Sequence, residues 1–331
     1  MKADMQRHQS TQSGAGGRLS FVQRREVLDW WDDTDDAARL VHADTLTSRG
    51  DPFGEFMLLQ CTQPESPRLA ELWTKHHVEW LAAHGLPPLG WYVKGPGLSS
   101  AMHRVGGTFE LWSVHFQRGR LARLWAPRLS PELLARLRAE ASLRQLELDD
   151  VEPDRFLDTI AGFKLEVLGV SGSRPLSRRQ LEDLVEAPVF QGLAELDFNA
   201  GTPQSEADER ASFVTREAQR APRLTRLRLE GTLSLKPLRV LRSLSWTKRL
   251  THLDVSVGDA TEELPALLEH LPALEALSLG VYRAEPALAH ALLAHPTLKQ
   301  ARIRTSAPTP LPDALAQKLQ QRLGPQALVR F

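Results

Sequence analysis

Through the carboxy-terminal half of the chain, leucine and its substitutes return in a single frame, L-x-x-L-x-L. It occurs as Leu143/Leu146/Leu148, Leu165/Leu168/Val170, Leu193/Leu196/Phe198 and Leu224/Leu227/Leu229. It continues as Leu250/Leu253/Val255, Leu274/Leu277/Leu279 and, degraded, Leu298/Ala301/Ile303. The last three positions alternate apolar, polar, apolar, which puts two side chains on the inner face of a short strand. The first leucine enters the same core as the chain turns into that strand. Between frames, segments such as 285–295 space Leu288, Leu292 and Leu293 as a helix does. Pro222, Pro272 and Pro296 each stand two residues before a first leucine, where a helix must already have ended. The pattern predicts an α/β fold, a right-handed solenoid of parallel strands with helices on the convex side. One such unit leaves its own apolar face uncovered, so seven in succession predict stacking.

The first positions of the frames lie 22, 28, 31, 26, 24 and 24 residues apart. Most of these spacings sit within or close to the 20–29 residues of leucine-rich repeats. Residues 141–305 resemble that superfamily, in particular its irregular bacterial members. The usual pattern places an Asn three residues after the last leucine, tying adjacent turns together. Here those positions hold Val151, Gly201, Thr232, Gly258 and Tyr282; of these only Thr232 is suited to substitute for the Asn. Backbone bonds and helix packing are therefore expected to hold the turns.

The amino-terminal half has a different grammar. Seven of the eight tryptophans fall in the first 125 residues, and only Trp246 lies later. That shift divides the chain into a polar tail (1–18), an amino-terminal domain (19–126), the repeats (127–305) and a carboxy-terminal cap (306–331). Asp35 or Asp36 is placed to cap a helix carrying Ala38, Leu40, Val41 and Leu46. Gly50 ends it and Asp51-Pro52 opens the next, with Glu55 near its positive end. Asp35-Asp36, Arg39-Leu40-Val41, Ala43-Asp44, Leu46, Arg49-Gly50-Asp51-Pro52, Glu55-Phe56 and Leu59-Gln60 resemble the bacterial repeat-companion domain. His42, Thr45 and Leu58 depart from its pattern. The resemblance covers about 35 residues and implies a domain standing ahead of a repeat array. Asp44, Asp51 and Glu55 are read as helix caps and partners of Arg39 and Arg49, ahead of a metal-binding reading. Further on, 69–85 reads as a helix, and 109–116 with 120–126 flank Arg118-Gly119 as a hairpin. That hairpin, with a helix at 130–139, is placed to cover the first edge of the repeats in a mainly helical amino-terminal domain. A helix at 311–323 is placed to cap the other end.

Composition then narrows function. Forty-one basic residues balance 41 acidic ones, which removes a global electrostatic argument for nucleic acid or an anionic membrane. The single cysteine, Cys61, allows no internal disulfide; it is read as a small hydrophobe on an apolar helix. With no secretory or membrane-spanning run, the chain is expected to be cytoplasmic. Motifs for chemistry are absent. No phosphate-binding loop occurs, and Gly95-Pro96-Gly97 reads as a turn. The acidic run at 32–36 fails the calcium-loop pattern at Ala37 and Ala43. His76, His77 and His84 lack zinc spacing, and 169–172 lacks that of a nucleophile elbow. The expectation is a protein without catalytic residues, metal or cofactor.

What remains is a surface. The x positions of the frame point out of the strand face, which makes Arg144, Glu147, Glu166, Glu195, Asp197, Arg226, Arg228, His252, Asp254, Glu275 and Arg302 candidate contacts for a protein partner. Charge reversal at Arg226 and Arg228 is expected to abolish capture with little effect on thermal unfolding. Two other readings stay open: nucleic-acid binding through the basic segment 216–249, and an enzyme with a site hidden in the tryptophan-rich half. The acid-rich stretch 199–221 reads as a recognition loop or a slack surface loop.

Overall fold

A computed structural model describes residues 36–330 apart from 88, 106–107, 127–128, 140–142, 150–155, 172–174, 202, 258–262, 306, 308–310 and 326. The tail at 1–18, Trp30, Trp31, the acids at 32–35, Val151 and Gly258 lie outside the described residues.

Helix α1 (Asp36–Ser48) ends at Gly50, whose positive φ of 73° suits a residue without Cβ. Asp51 then caps α2 (Pro52–Thr62): its Oδ1 accepts from the Phe53 amide at 3.0 Å, with proline in the first turn. Glu55 pairs with Arg68 on α3 (Pro67–Ala83) at 2.9 Å, instead of with Arg39 or Arg49 as the sequence suggests. The face of α1 also differs from expectation. Arg39, His42, Ala43 and Leu46 are buried, whereas Val41 is 69% exposed. Positions 39, 42, 43 and 46 keep helical spacing, but two of them are polar, so the apolar pattern points to the wrong side.

The tryptophans of this half build its core. Phe56 packs on Trp80 and Trp73, with ring centres 4.9 and 5.4 Å apart, and Trp73 packs on Phe116 at 5.2 Å. Trp73 is completely buried, so its indole N–H needs an acceptor and finds Ser99 Oγ at 2.9 Å.

Beside these helices, four antiparallel strands run as a meander: β1 (Tyr92–Gly95), β2 (Leu98–Val105), β3 (Thr108–Gln117) and β4 (Arg120–Ala126). The expected hairpin is its second half; β1 and β2 are additional, joined through Pro96-Gly97. Arg118 and Gly119 both have positive φ, 51° and 73°, the pair that a tight hairpin turn matched to strand twist requires. Gln60 of α2 grips this turn. Its Nε2 donates to the Phe116 carbonyl at 2.9 Å and its Oε1 accepts from the Gly119 amide at 2.7 Å.

Strand β4 pairs antiparallel with β3 on one side and parallel with β5 (Gln145–Asp149) on the other. From there the sheet is parallel through β6 (Val167–Ser171), β7 (Glu195–Asn199), β8 (Arg226–Leu233), β9 (His252–Val257), β10 (Ala276–Val281), β11 (Gln300–Thr305) and β12 (Leu328–Arg330). All twelve described strands lie in chain order in one open, mostly parallel sheet. The repeating frame sets the register. Leu146, Leu168, Leu196, Leu227, Leu253, Leu277 and Ala301 form one ladder, and Leu148, Val170, Phe198, Leu229, Val255, Leu279 and Ile303 another. Every one of these side chains is buried. A one-residue slip would turn both ladders to the opposite face, so the hydrophobic pattern holds the register.

Backbone bonds also tie the entry of each parallel strand to that of the next. The carbonyls of Arg144, Glu166, Ala194, Thr225, Thr251 and Glu275 each accept two consecutive amides of the next unit; for Ala194 these are Thr225 and Arg226, at 2.9 and 3.1 Å. Side chains add ties near the helix ends. His295 Nε2 reaches the Leu271 carbonyl at 3.0 Å; because a carbonyl only accepts, Nε2 carries the proton.

The crossovers contain α4 (Pro131–Arg138), α5 (Phe156–Ile160), α6 (Arg178–Glu186), α7 (Pro188–Gly192), α8 (Gln204–Glu217), α9 (Leu235–Ser243), α10 (Glu263–His270), α11 (Pro286–Ala294) and α12 (Asp313–Leu323). Helix α8 replaces the loop expected at 199–221. Ala207, Ala211, Val214 and Ala218 bury a stripe of small residues, too weakly apolar to signal a helix by composition. Its buried Asp208 accepts from the Ser234 amide at 2.8 Å, anchoring the start of α9. Strand β12 also escapes the periodic frame, because it follows α12 without a leucine triplet.

Candidate functional site

The alternation that buries the two apolar ladders turns the intervening side chains to the opposite face of the sheet. Gln145, Val167, Glu195, Arg226, His252, Ala276 and Gln300 align in one outward row. Glu147, Gly169, Asp197, Arg228, Asp254, Ser278 and Arg302 align in the next. Over β8–β11 this face sinks into a depression of about 630 Å³, rimmed at one end by Leu323, Gly324 and Pro325 at the close of α12. Of the residues singled out in the sequence, Glu195, Arg226, Arg228, His252, Asp254 and Arg302 line it. Asp197 adjoins through Arg228, and Glu275 pairs with Lys299 at 3.0 Å. Arg144, Glu147 and Glu166 stand apart, toward β5 and β6. There Glu147 pairs with Arg123, and Arg144 and Glu166 line a separate, smaller cavity.

Arg228 is the hub of the depression. Its guanidinium meets Asp197 at 3.1 Å, Glu230 at 2.8 Å and Asp254 at 3.3 Å. Asp254 also takes Arg304 at 3.2 Å, and Arg226 meets Glu195 at a looser 3.5 Å. Burial opposes the Arg228 charge, but Asp197, Glu230 and Asp254 outweigh it and raise its pKa. Glu230 and Arg304 are not among the outward candidate contacts that the sequence singles out. Each lies one residue past the last apolar position of its frame, so carrying the alternation one step further would have found both. Arg302 has no carboxylate within ion-pair distance among the described residues, which leaves its charge available at the α12 end of the depression.

Asp197 is pushed up to about 7, mainly by burial, with Glu230 and Glu147 adding to the shift and Arg228 opposing it. The folded state therefore holds a proton that an ordinary aspartate, near 3.8, has already lost. Its stabilising contribution is complete below about pH 4 and fades as pH rises toward 7. His252 works in the opposite sense: burial and Arg226 lower its pKa, so its contribution fades as pH falls. Asp197→Asn keeps the shape of the protonated acid and isolates the first effect. Between pH 5 and pH 8 the wild-type chain is expected to lose roughly 2 kcal/mol relative to this variant, measured by urea unfolding. Parallel pH profiles for the two proteins would contradict the assignment.

The basic segment 216–249 is largely answered by acids. Arg220 meets Glu217, Arg223 meets Glu166, Lys236 meets Glu209, and Arg239 and Arg242 share Glu263. These residues are spread over α8, β8, α9 and the short turns following the helices, which offers no continuous cationic track for phosphates. In the tryptophan-rich half, Trp73, Trp80, Phe53 and Phe116 are consumed by packing. The described residues hold no group of three or more His, Cys, Asp or Glu arranged to bind a metal, and no helix long and apolar enough to cross a membrane.

The sequence matches no protein-family model and no curated protein.

Proposed function

We propose that the chain is a non-catalytic, cytosolic binding scaffold: an irregular leucine-rich-repeat solenoid behind a repeat-companion domain, taking a folded protein partner on its outward strand face. The observation that carries this reading is the in-register ladder of seven frames, which leaves one wide, mixed-charge strand face with a depression over β8–β11. Fixed charges of both signs on a rigid sheet suit a protein surface of complementary charge, and they favour specificity and fast encounter over sheer affinity. Arg302, Gln300 and His252 beside Leu323 and Pro325 offer polar anchors next to an apolar rim, the mixture that protein interfaces favour.

The test is affinity capture from native lysate with the wild-type chain and an Arg226→Glu/Arg302→Glu double variant. Loss of one specific protein with the variant, at unchanged unfolding temperature, is the expected result. A partner retained by both baits would place recognition on another surface. Capture of no specific protein by the wild-type chain would count against the scaffold itself.

A further inference from the structure

The depression over β8–β11 owes its shape to β10. The three outward residues of that strand, Ala276, Ser278 and Gly280, are all small. Their neighbours across the first two rows are longer: His252 and Asp254 on β9, Gln300 and Arg302 on β11. Adjacent strands lie about 4.8 Å apart, so a trough roughly two strand spacings wide runs along β10 between these side chains. Exposed Pro325 stands at its rim. A trough of that width admits one extended segment but not a helix, whose diameter with side chains is about 10–12 Å.

The two walls differ in charge. On the β9 side Asp254 already holds two guanidinium groups, Arg228 at 3.3 Å and Arg304 at 3.2 Å. Arg304 comes from β11 and crosses β10 beside Gly280, where no side chain stands in its way. The other carboxylate of the lining, Glu195, lies away on β7 and faces Arg226. Arg302 on the β11 wall is left unanswered. Among the described residues, the side chains of Arg302, Gln300 and Ser278 make no hydrogen bond or ion pair within the chain. Ser278 pairs with Arg302 across the two strands, and Gln300 precedes Arg302 by two residues on the same face. The three donors therefore start within about 8 Å of one another, around one uncompensated positive charge. A guanidinium presents paired N–H donors matched to carboxylate oxygens and keeps its charge at every physiological pH.

We infer that the partner fills this trough with an extended segment carrying one Asp or Glu beside an apolar residue. Its carboxylate meets Arg302, Gln300 and Ser278, and the apolar neighbour lies against Ala276 and Pro325. The inference rests on the scaffold reading above and adds the chemistry of what is recognised. One free guanidinium answers one negative charge. A run of acids or a nucleic-acid strand would bring further charges against Asp254 and Glu195, so the trough selects a lone carboxylate. At an exposed position such a pair contributes discrimination more than affinity.

The test is an array of immobilised heptapeptides with Asp, Glu, Asn, Gln or Lys at the centre, between apolar and small neighbours. It is probed with the full chain as wild type, Arg302→Gln and Arg302→Glu. Wild type is expected to be retained about fivefold better by the Asp or Glu peptides than by their Asn or Gln counterparts. Arg302→Gln is expected to lose that preference, and Arg302→Glu to turn it toward Lys. Arg302 is exposed and gives up no partner among the described residues, so both variants are expected to unfold at the wild-type temperature; should Arg302→Glu not fold, Arg302→Gln decides. An acidic preference that survives both substitutions, its absence in wild type, or retention by no peptide overturns the inference. Lysate capture reports separately on the scaffold: a specific partner captured by wild type, beside an array without acidic preference, removes the carboxylate and keeps the scaffold.

Discussion

Gly54→Ala is expected to remove about 3 kcal/mol of stability, the steep end of the range for overpacking a close contact. A Cβ at this position would stand 2.5 Å from the Ala43 carbonyl oxygen, 2.5 Å from the Thr47 amide nitrogen and 2.7 Å from Leu46 Cβ. Two of those atoms are backbone, so relief requires α1 and α2 to separate. Separation would loosen Phe53, Phe56 and Met57, which α2 contributes to the aromatic core. Two other glycines serve as controls. Gly90→Ala meets nothing within 4 Å and should be nearly silent. Gly50→Ala also has space but sits at a φ of 73°, so its cost should stay near 1 kcal/mol. Chemical denaturation of the three variants checks the order. Equal losses at Gly54 and Gly50 would mean that backbone conformation, and not helix contact, dominates there.

Arg228→Glu is expected to destabilise the chain by roughly 2 kcal/mol, clearly more than Arg226→Glu. The reversal puts a fourth carboxylate among Asp197, Glu230 and Asp254 and removes the cation that, among the described residues, meets all three. Arg226 has one loose partner at 3.5 Å. The Arg228 side chain is 44% exposed, so water screens much of the Coulomb energy, and the figure is kept well below that for a buried pair. Molar salt should narrow the gap between Arg228→Glu and wild type. Urea unfolding at low and high ionic strength measures both effects, and equal losses for the two reversals would remove Arg228 from the centre of the network. This changes the experiment that the sequence suggests. Reversal at Arg228 confuses lost binding with lost stability, whereas Arg226 and Arg302 report on the face more cleanly.

Much of the fold is legible in the residues because the rules behind it are local. Asp51-Pro52 opens a helix wherever it stands, since an Asp carboxylate satisfies a first-turn amide and proline lacks one to satisfy. Arg118-Gly119 reads as a turn for similar reasons. Where local signals mislead, a particular residue explains it. Arg39 and His42 lie on the buried side of α1 although polarity assigns them to solvent. Helix α8 is hidden in an acid-rich stretch because its inward stripe is mostly alanine. Strand β12 lies outside any frame, and its pairing with β11 comes from the sheet's free edge.

The candidate site divides along the same line. Which residues face outward from β5 to β11 followed from the sequence alone, because strand side chains alternate with period two and the apolar half of that alternation must be buried. Which of them meet was decided only in three dimensions. Asp197, Arg228 and Asp254 are 31 and 26 residues apart in the chain, and their contacts depend on strands stacking in order and in register. The smaller cavity depends on more distant neighbours still, its wall holding Arg39 of α1 and Arg144 more than a hundred positions later. Nothing in local periodicity encodes such an encounter; it exists because the meander β1–β4 continues directly into the parallel sheet and sets the amino-terminal helices against its first strands.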